Sequence, residues 1–152
     1  MAYTEIKIKN SKKYYYRVRS IREGDKFKKE RIYLGVNLTK ENLIKKEEYA
    51  DKKLIEKKIQ KGLIKIKPKL ISVLKKNKIK KAGIFGSYAK GNYRKNSDID
   101  ILIEPTKNMG FGFAKVEMEL EKALKIKVDL VSYNGISPHL RSNILNQEIR
   151  IV

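Results

Sequence analysis

Asp98 and Asp100 are the residues best placed to do chemistry. They are separated by Ile99 and run into Ile101, Leu102 and Ile103. On a β-strand alternate residues share a face, so the two carboxylates point one way while Ile99 and Ile101 point the other. Side by side they repel, and an apolar strand solvates them poorly. A divalent cation between them removes both objections, and an all-oxygen pair suits Mg²⁺, which takes one or two carboxylates with phosphate and water oxygens. Upstream, across ten intervening residues, lie Gly86 and Ser87, reached by the short apolar run Ala82-Gly83-Ile84-Phe85. Gly86 permits a tight turn, Ser87 is expected to cap the helix that follows, and backbone N–H groups there would face a phosphate. A phosphate cradle followed by a magnesium pair is what nucleotidyl transfer requires.

Further along, Asp129 stands between Val128 and Leu130 in the alternating run IKVDLV. An isolated carboxylate is costly to bury, which argues for a metal, a Lys or a strand-end hydrogen bond as its partner. The bland alternative is a strand-end Asp in water. If its strand neighbours that of Asp98 and Asp100, Asp129 completes a three-carboxylate cluster.

A Gly-Ser, ten residues and then Asp-x-Asp resembles the signature of the DNA polymerase β-like nucleotidyltransferases. Within them the chain looks most like the minimal type, the antitoxin half of HEPN/MNT toxin–antitoxin pairs, over roughly Pro68 to Val152. The resemblance implies a polymerase β-like core, a mixed sheet with helices on one face. It also implies transfer of AMP from ATP to a tyrosine of a cognate HEPN ribonuclease toxin. Asp98 and Asp100 would then hold two Mg²⁺ ions bridging the nucleotide phosphates. Asp129 would position the second ion or act as general base. Gly86 and Ser87 would grip the β- and γ-phosphates, and Lys90, Arg94 and Lys95 would add charge near the leaving diphosphate. Many members carry Arg where this chain has Lys90; the substitution loses a bidentate fork and keeps the charge. Two other readings stand beside this one: a nucleotidyltransferase acting on RNA or a small-molecule hydroxyl, and a non-catalytic nucleic-acid- or partner-binding protein.

The elements that must position these residues read as an α+β or α/β two-layer protein. Met1 to Val36 reads as a three-stranded β-meander, Thr4–Lys9, Tyr14–Ile21 and Phe27–Val36, with turns at Asn10-Ser11 and Glu23-Gly24-Asp25. Thr39 is a helix N-cap, and Leu43, Ile44, Ala50, Leu54, Ile55 and Ile59 mark a long Lys-rich helix ending near Gly62. Residues 62–67 then read as a hinge before a second helix from Pro68 to Lys76, with Leu70, Ile71, Val73 and Leu74 facing inward. After the motif, Lys107 to Gly112 is a loop, Phe113 to Leu124 a helix, Ile126 to Val131 a strand. Ser137-Pro138 opens a last helix, and Glu148 to Val152 adds a strand. The expected organisation is a basic accessory region over 1–38, a connecting helix and hinge over 39–67, and the nucleotidyltransferase core over 68–152.

Composition narrows the partners. The 152-residue chain carries a net charge of +20, and the charge is uneven. Met1 to Lys81 holds 27 Lys and Arg against 9 Asp and Glu, leaving +18, whereas Ala82 to Val152 holds 10 against 8, leaving +2. A basic front half attracts nucleic acid or an acidic protein; a Lys-, Ile- and Glu-rich bias of the hyperthermophile kind explains it equally well. Tyr and Arg/Lys alternate through the meander, a pattern that can stack bases and hold phosphates. There is no cysteine, so disulfides and thiolate metal sites are excluded, and the single His139 makes a histidine zinc site improbable. No apolar run approaches ~20 residues, so a cytoplasmic protein without a membrane span is expected, with oligomers left open.

Overall fold

The computed structural model describes residues 2–23, 26–107, 109–110 and 112–152. They form two compact units, Met1–Lys57 and Lys58–Val152.

In the first unit, strands β1 (Ala2–Lys9), β2 (Lys12–Glu23) and β3 (Lys26–Val36) make an antiparallel sheet in that order. Asn10 and Ser11 join β1 to β2 with φ of 48° and 57°. Two residues with positive φ give the turn whose twist matches paired strands. Gly24 and Asp25 of the second expected turn lie outside the described residues. A bulge at Tyr15/Tyr16 leaves Leu34 unpaired on β3, and Leu34 is buried with Tyr15 and Ala50. Ala50 belongs to helix α1 (Lys40–Lys76), whose start is capped as expected, with Thr39 Oγ1 accepting from Asn42 N. Arg17 stitches this face of the sheet to the helix, donating from Nε and Nη2 to the two Asp51 carboxylate oxygens at 2.8 and 2.6 Å.

The expected break in this helix does not occur: α1 is continuous through Gly62 and carries Pro68 in its interior. An interior proline costs about 3 kcal/mol, from one lost hydrogen bond and a clash with the preceding turn. Ile66, Leu70 and Leu74 on either side of it are all buried in the main core. At about 1.5–3 kcal/mol for each large apolar side chain taken out of water, their burial outweighs the local breaker. The stripe expected nearer the start is only partly used, since Ala50 and Leu54 are buried while Ile44 and Ile55 are exposed.

The second unit is built on a mixed four-stranded sheet, β4 (Ala82–Phe85), β5 (Ile99–Ile103), β6 (Val128–Ser132) and β7 (Ile149–Arg150), in the order β6-β5-β4-β7. The β5–β6 pair is parallel, and β4 runs antiparallel to both β5 and β7. Ala82, Ile84, Ile99, Ile101, Ile103, Val128 and Leu130 form one face of this sheet, and it is the core face. Against it pack the end of α1 and helix α3 (Gly112–Leu124) through Val116, Leu120 and Leu124. Of the loop expected before α3, Asn108 and Phe111 lie outside the described residues. The opposite face holds a smaller cluster of Leu102, Tyr133 and Ile136, joined by Phe85, Val131 and, from helix α4 (Pro138–Gln147), Ile144. This second face carries the site. Among the described residues no helix is long and apolar enough to cross a membrane.

Candidate active site

Strand alternation puts Asp100 on the face opposite Ile99 and Ile101, where it is half-buried. The parallel pairing sets Asp100 directly opposite Asp129, and the antiparallel pairing sets it opposite Phe85, the residue before Gly86. Gly86 has φ +63°, and a Cβ built on it would lie 2.0 Å from Asp100 Oδ2. Glycine is therefore required twice here, for its left-handed backbone and for the space the carboxylate fills. The carboxylate also accepts a hydrogen bond from the Ser87 backbone N–H. Asp98, one residue before β5, is exposed and pairs with Lys127 Nζ at 3.6 Å. Asp129 is exposed rather than buried, because its face of the sheet is largely uncovered at that point.

Burial raises the Asp100 carboxyl above its ordinary value, and the negative charge of Asp129 raises it further. The Ser87 N–H opposes both, and Asp98 adds a smaller upward push. Among the described residues no cation pairs with this carboxylate, and an all-oxygen set of this kind suits a hard cation such as Mg²⁺. As the side chains stand, no three His, Asp or Glu among the described residues form a group able to hold a metal ion. Asp100 and Asp129 face each other while Asp98 reaches toward Lys127.

Ser87 differs from expectation. It lies inside the short helix α2 (Gly86–Lys90), whose N-cap is Phe85 with no side-chain cap bond. The Ser87 hydroxyl is instead buried and has no hydrogen-bond partner among the described residues. Buried polar atoms are nearly always paired, so this orphan beside the Asp100 carboxylate marks a place for a polar ligand. Lys90, the last residue of α2, is exposed, as are Arg94 and Lys95 in the following loop.

The sequence reading missed what holds that loop. Tyr88 is buried, and its ring stacks on Tyr93 with centroids 4.4 Å apart and planes 5° from parallel. Tyr93 Oη donates to the Lys58 carbonyl at 3.0 Å, and Lys58 Nζ donates to the Tyr93 carbonyl at 2.8 Å. Gly62 lets the phenol lie against α1, since a Cβ there would come within 2.7 Å of Tyr93 Oη. Its role is close approach, not helix termination. The only sequence signal was the pair of tyrosines five residues apart in GSYAKGNY. A second clasp sits behind β4, where the Tyr133 hydroxyl donates to the partly buried Glu148 carboxylate. Glu148 in turn fills the space a side chain at Gly83 would need.

The C-terminal part of the chain is similar to known proteins. The profile of the family described as "Polymerase beta, Nucleotidyltransferase" matches residues 68–152. A Methanocaldococcus jannaschii protein provisionally named a protein adenylyltransferase is 40% identical over 88 residues, covering 57% of this chain and 95% of its own. The protein adenylyltransferase MntA of Thermococcus cleftensis is 28% identical over 74 residues, covering 48% of this chain and 75% of its own. A solved structure provisionally described as a minimal nucleotidyltransferase superposes with a TM-score of 0.50 at 28% identity, covering 59% of this chain and 92% of that one. The glycine–serine turn packed against Asp100, the paired strands of Asp100 and Asp129, and the profile match lead to one conclusion: the chain belongs to the polymerase β nucleotidyltransferase family.

Proposed function

We propose that this protein is a Mg²⁺-dependent protein adenylyltransferase that moves AMP from ATP to a hydroxyl of another protein, acting as the antitoxin of a HEPN-type ribonuclease toxin by modifying one of its tyrosines. The observation that carries the reading is the register of Asp100 opposite Asp129, with Asp100 hard against Gly86. One small surface thus offers acidic oxygens, and the buried Ser87 hydroxyl next to it has no hydrogen-bond partner among the described residues. The names of the relatives support a protein acceptor, and the sequence resemblance supports the toxin. Catalysis is assigned to residues 68–152, with 1–38 and 39–67 as accessory and connecting regions, in a cytoplasmic protein.

In the transfer, the acceptor oxygen bonds to the α-phosphorus of ATP, the bond to the bridging oxygen breaks, and diphosphate leaves. Asp98, Asp100 and Asp129 would hold magnesium, which when bound supplies positive charge to the phosphate oxygens. Asp129, exposed at the rim, takes the proton from the acceptor hydroxyl. Ser87 Oγ donates to a phosphate oxygen of the nucleotide, and the Ser87 N–H keeps the Asp100 carboxylate in place. Gly86 keeps the backbone close to that carboxylate. Lys90 lends charge toward the departing diphosphate.

The test supplies the protein with Mg²⁺ and α-labelled ATP, then offers a HEPN-type toxin, bulk RNA and small alcohols in turn. Label on the toxin alone, abolished by Asp98→Ala, is the expected result. Label on RNA would replace the acceptor, and no label on any of the three would remove the activity.

A further inference from the structure

The N-terminal sheet has two faces, and only one is used by α1. Tyr15, Arg17 and Leu34 serve that face. Alternation and register bring Tyr3, Tyr16, Phe27 and Tyr33 to the other, with Tyr16 directly opposite Tyr33. Rings there stay in water: Tyr3 is 42% exposed, Tyr33 54% and Phe27 73%. Leaving such area wet on a sheet that has little core of its own is unfavourable unless a partner covers it.

Tyr3, Tyr16 and Phe27 are each accompanied by a cation. Lys29 Nζ lies 5.9 Å from the Tyr3 ring centroid, Lys7 Nζ 5.6 Å from Tyr16, and the Arg22 guanidinium 5.9 Å from Phe27. Tyr16 and Tyr33 lie 5.4 Å apart with their planes tilted by 50°. Glu5 is the acidic residue in their midst, and it is paired with Lys7 at 3.7 Å and Arg31 at 3.3 Å. Flat rings that accept a base of any sequence, interleaved with cations that accept phosphates, are the two components of a single-strand binding surface. An acidic protein would answer the lysines but give the rings no flat partner. A duplex would answer the lysines while keeping its own bases stacked out of reach of the rings.

We infer that the face of the N-terminal sheet bearing Tyr3, Tyr16, Phe27 and Tyr33 binds single-stranded nucleic acid, stacking unpaired bases on its rings and holding the phosphates with Lys7 and Lys29. This is independent of the transferase reading. It needs neither ATP nor magnesium.

The test measures fluorescence anisotropy of the full-length protein with a labelled 20-nucleotide poly-uridine strand, its poly-deoxythymidine counterpart and a duplex of equal length, in chelator-containing buffer. Single strands are expected to bind more tightly than the duplex, with log K falling against log salt by about 0.7 per phosphate neutralised. Comparison of the ribose and deoxyribose strands identifies which nucleic acid is preferred. Tyr33→Ala and Phe27→Ala, both at exposed positions, are expected to weaken single-strand binding roughly five- to hundredfold each. Label transfer measured in parallel reports that the catalytic unit remains folded. The inference is overturned if the duplex binds as well as the strands, or if only Lys7→Glu and Lys29→Glu reduce affinity while the ring variants do not. It is equally overturned if polyglutamate binds as the strands do, or if the sheet face proves to join two copies of the chain, with Tyr33→Ala abolishing a dimer seen by sedimentation and no strand bound.

Discussion

Gly86→Ala tests the central geometry most directly. The new Cβ would lie 2.0 Å from Asp100 Oδ2 and 2.7 Å from its Cγ, at a residue with φ +63°. Two penalties follow and they act differently. Holding alanine in the left-handed region costs about 1–2 kcal/mol of stability wherever it occurs. Relief of the clash moves the Asp100 carboxylate by an ångström or more, away from the Ser87 N–H that it accepts. Misplacement of a reacting group on that scale costs about 10²-fold in rate. Gly110→Ala is the control: its φ is +36°, and its added Cβ meets nothing within 4 Å. Initial rates of AMP incorporation from labelled ATP at saturating Mg²⁺, read beside urea unfolding, separate the two penalties. Gly86→Ala should lose about 10²-fold in rate while Gly110→Ala keeps its rate within a factor of ~3. A Gly86→Ala protein that transfers AMP at the native rate would refute the assignment of Asp100 to the reaction.

Other outcomes follow from the same contacts. Asp100→Asn and Asp129→Ala should each reduce label transfer by at least about 10²-fold with the far-ultraviolet circular dichroism unchanged, since each removes charge from the site without removing core. Tyr93→Phe keeps the ring stack and loses the hydrogen bond to the Lys58 carbonyl, so urea unfolding should show a loss of about 1 kcal/mol. Gly62→Ala should destabilise the native protein despite alanine's higher helix propensity, because the methyl displaces Tyr93; in a Tyr93→Ala background the same change should stabilise by about 0.5–1 kcal/mol. A stabilising Gly62→Ala in both backgrounds would mean the ring does not press on the helix. Burial alone would raise the Glu30 carboxyl, but the hydrogen bond from Arg19 and the attraction of Lys57 and Arg19 outweigh it and hold it below its ordinary value of 4.5. Its contribution, about 1 kcal/mol or less, is present above pH ~4.5 and fades as pH falls through the lower native value. The stability gap between native protein and Glu30→Gln should therefore close on acidification in chemical denaturation series, and a gap that widens would reverse the sign.

Much was legible in the sequence because it depends on near neighbours. Alternation around Asp100 and Ile101, glycine at position 86, the Asn10-Ser11 turn and the N-cap at Thr39 follow from steric and hydrogen-bonding preferences that act over a few residues. Those preferences indicated a strand in each place where the structure has one, and set Asp100 on the face opposite Ile99 and Ile101. Only the tertiary structure decided that Gly62 and Pro68 lie inside one helix, because the energy that overrides them comes from the core around Leu70 and Leu74 and from Tyr93, thirty-one residues beyond the glycine. It alone set Asp129 beside Asp100, a pairing of strands whose register depends on the face each one buries. It also left the Ser87 hydroxyl buried with no hydrogen-bond partner among the described residues, and Tyr33 in water. A residue's type limits what it can do; the burial it meets depends on which distant parts of the chain arrive beside it.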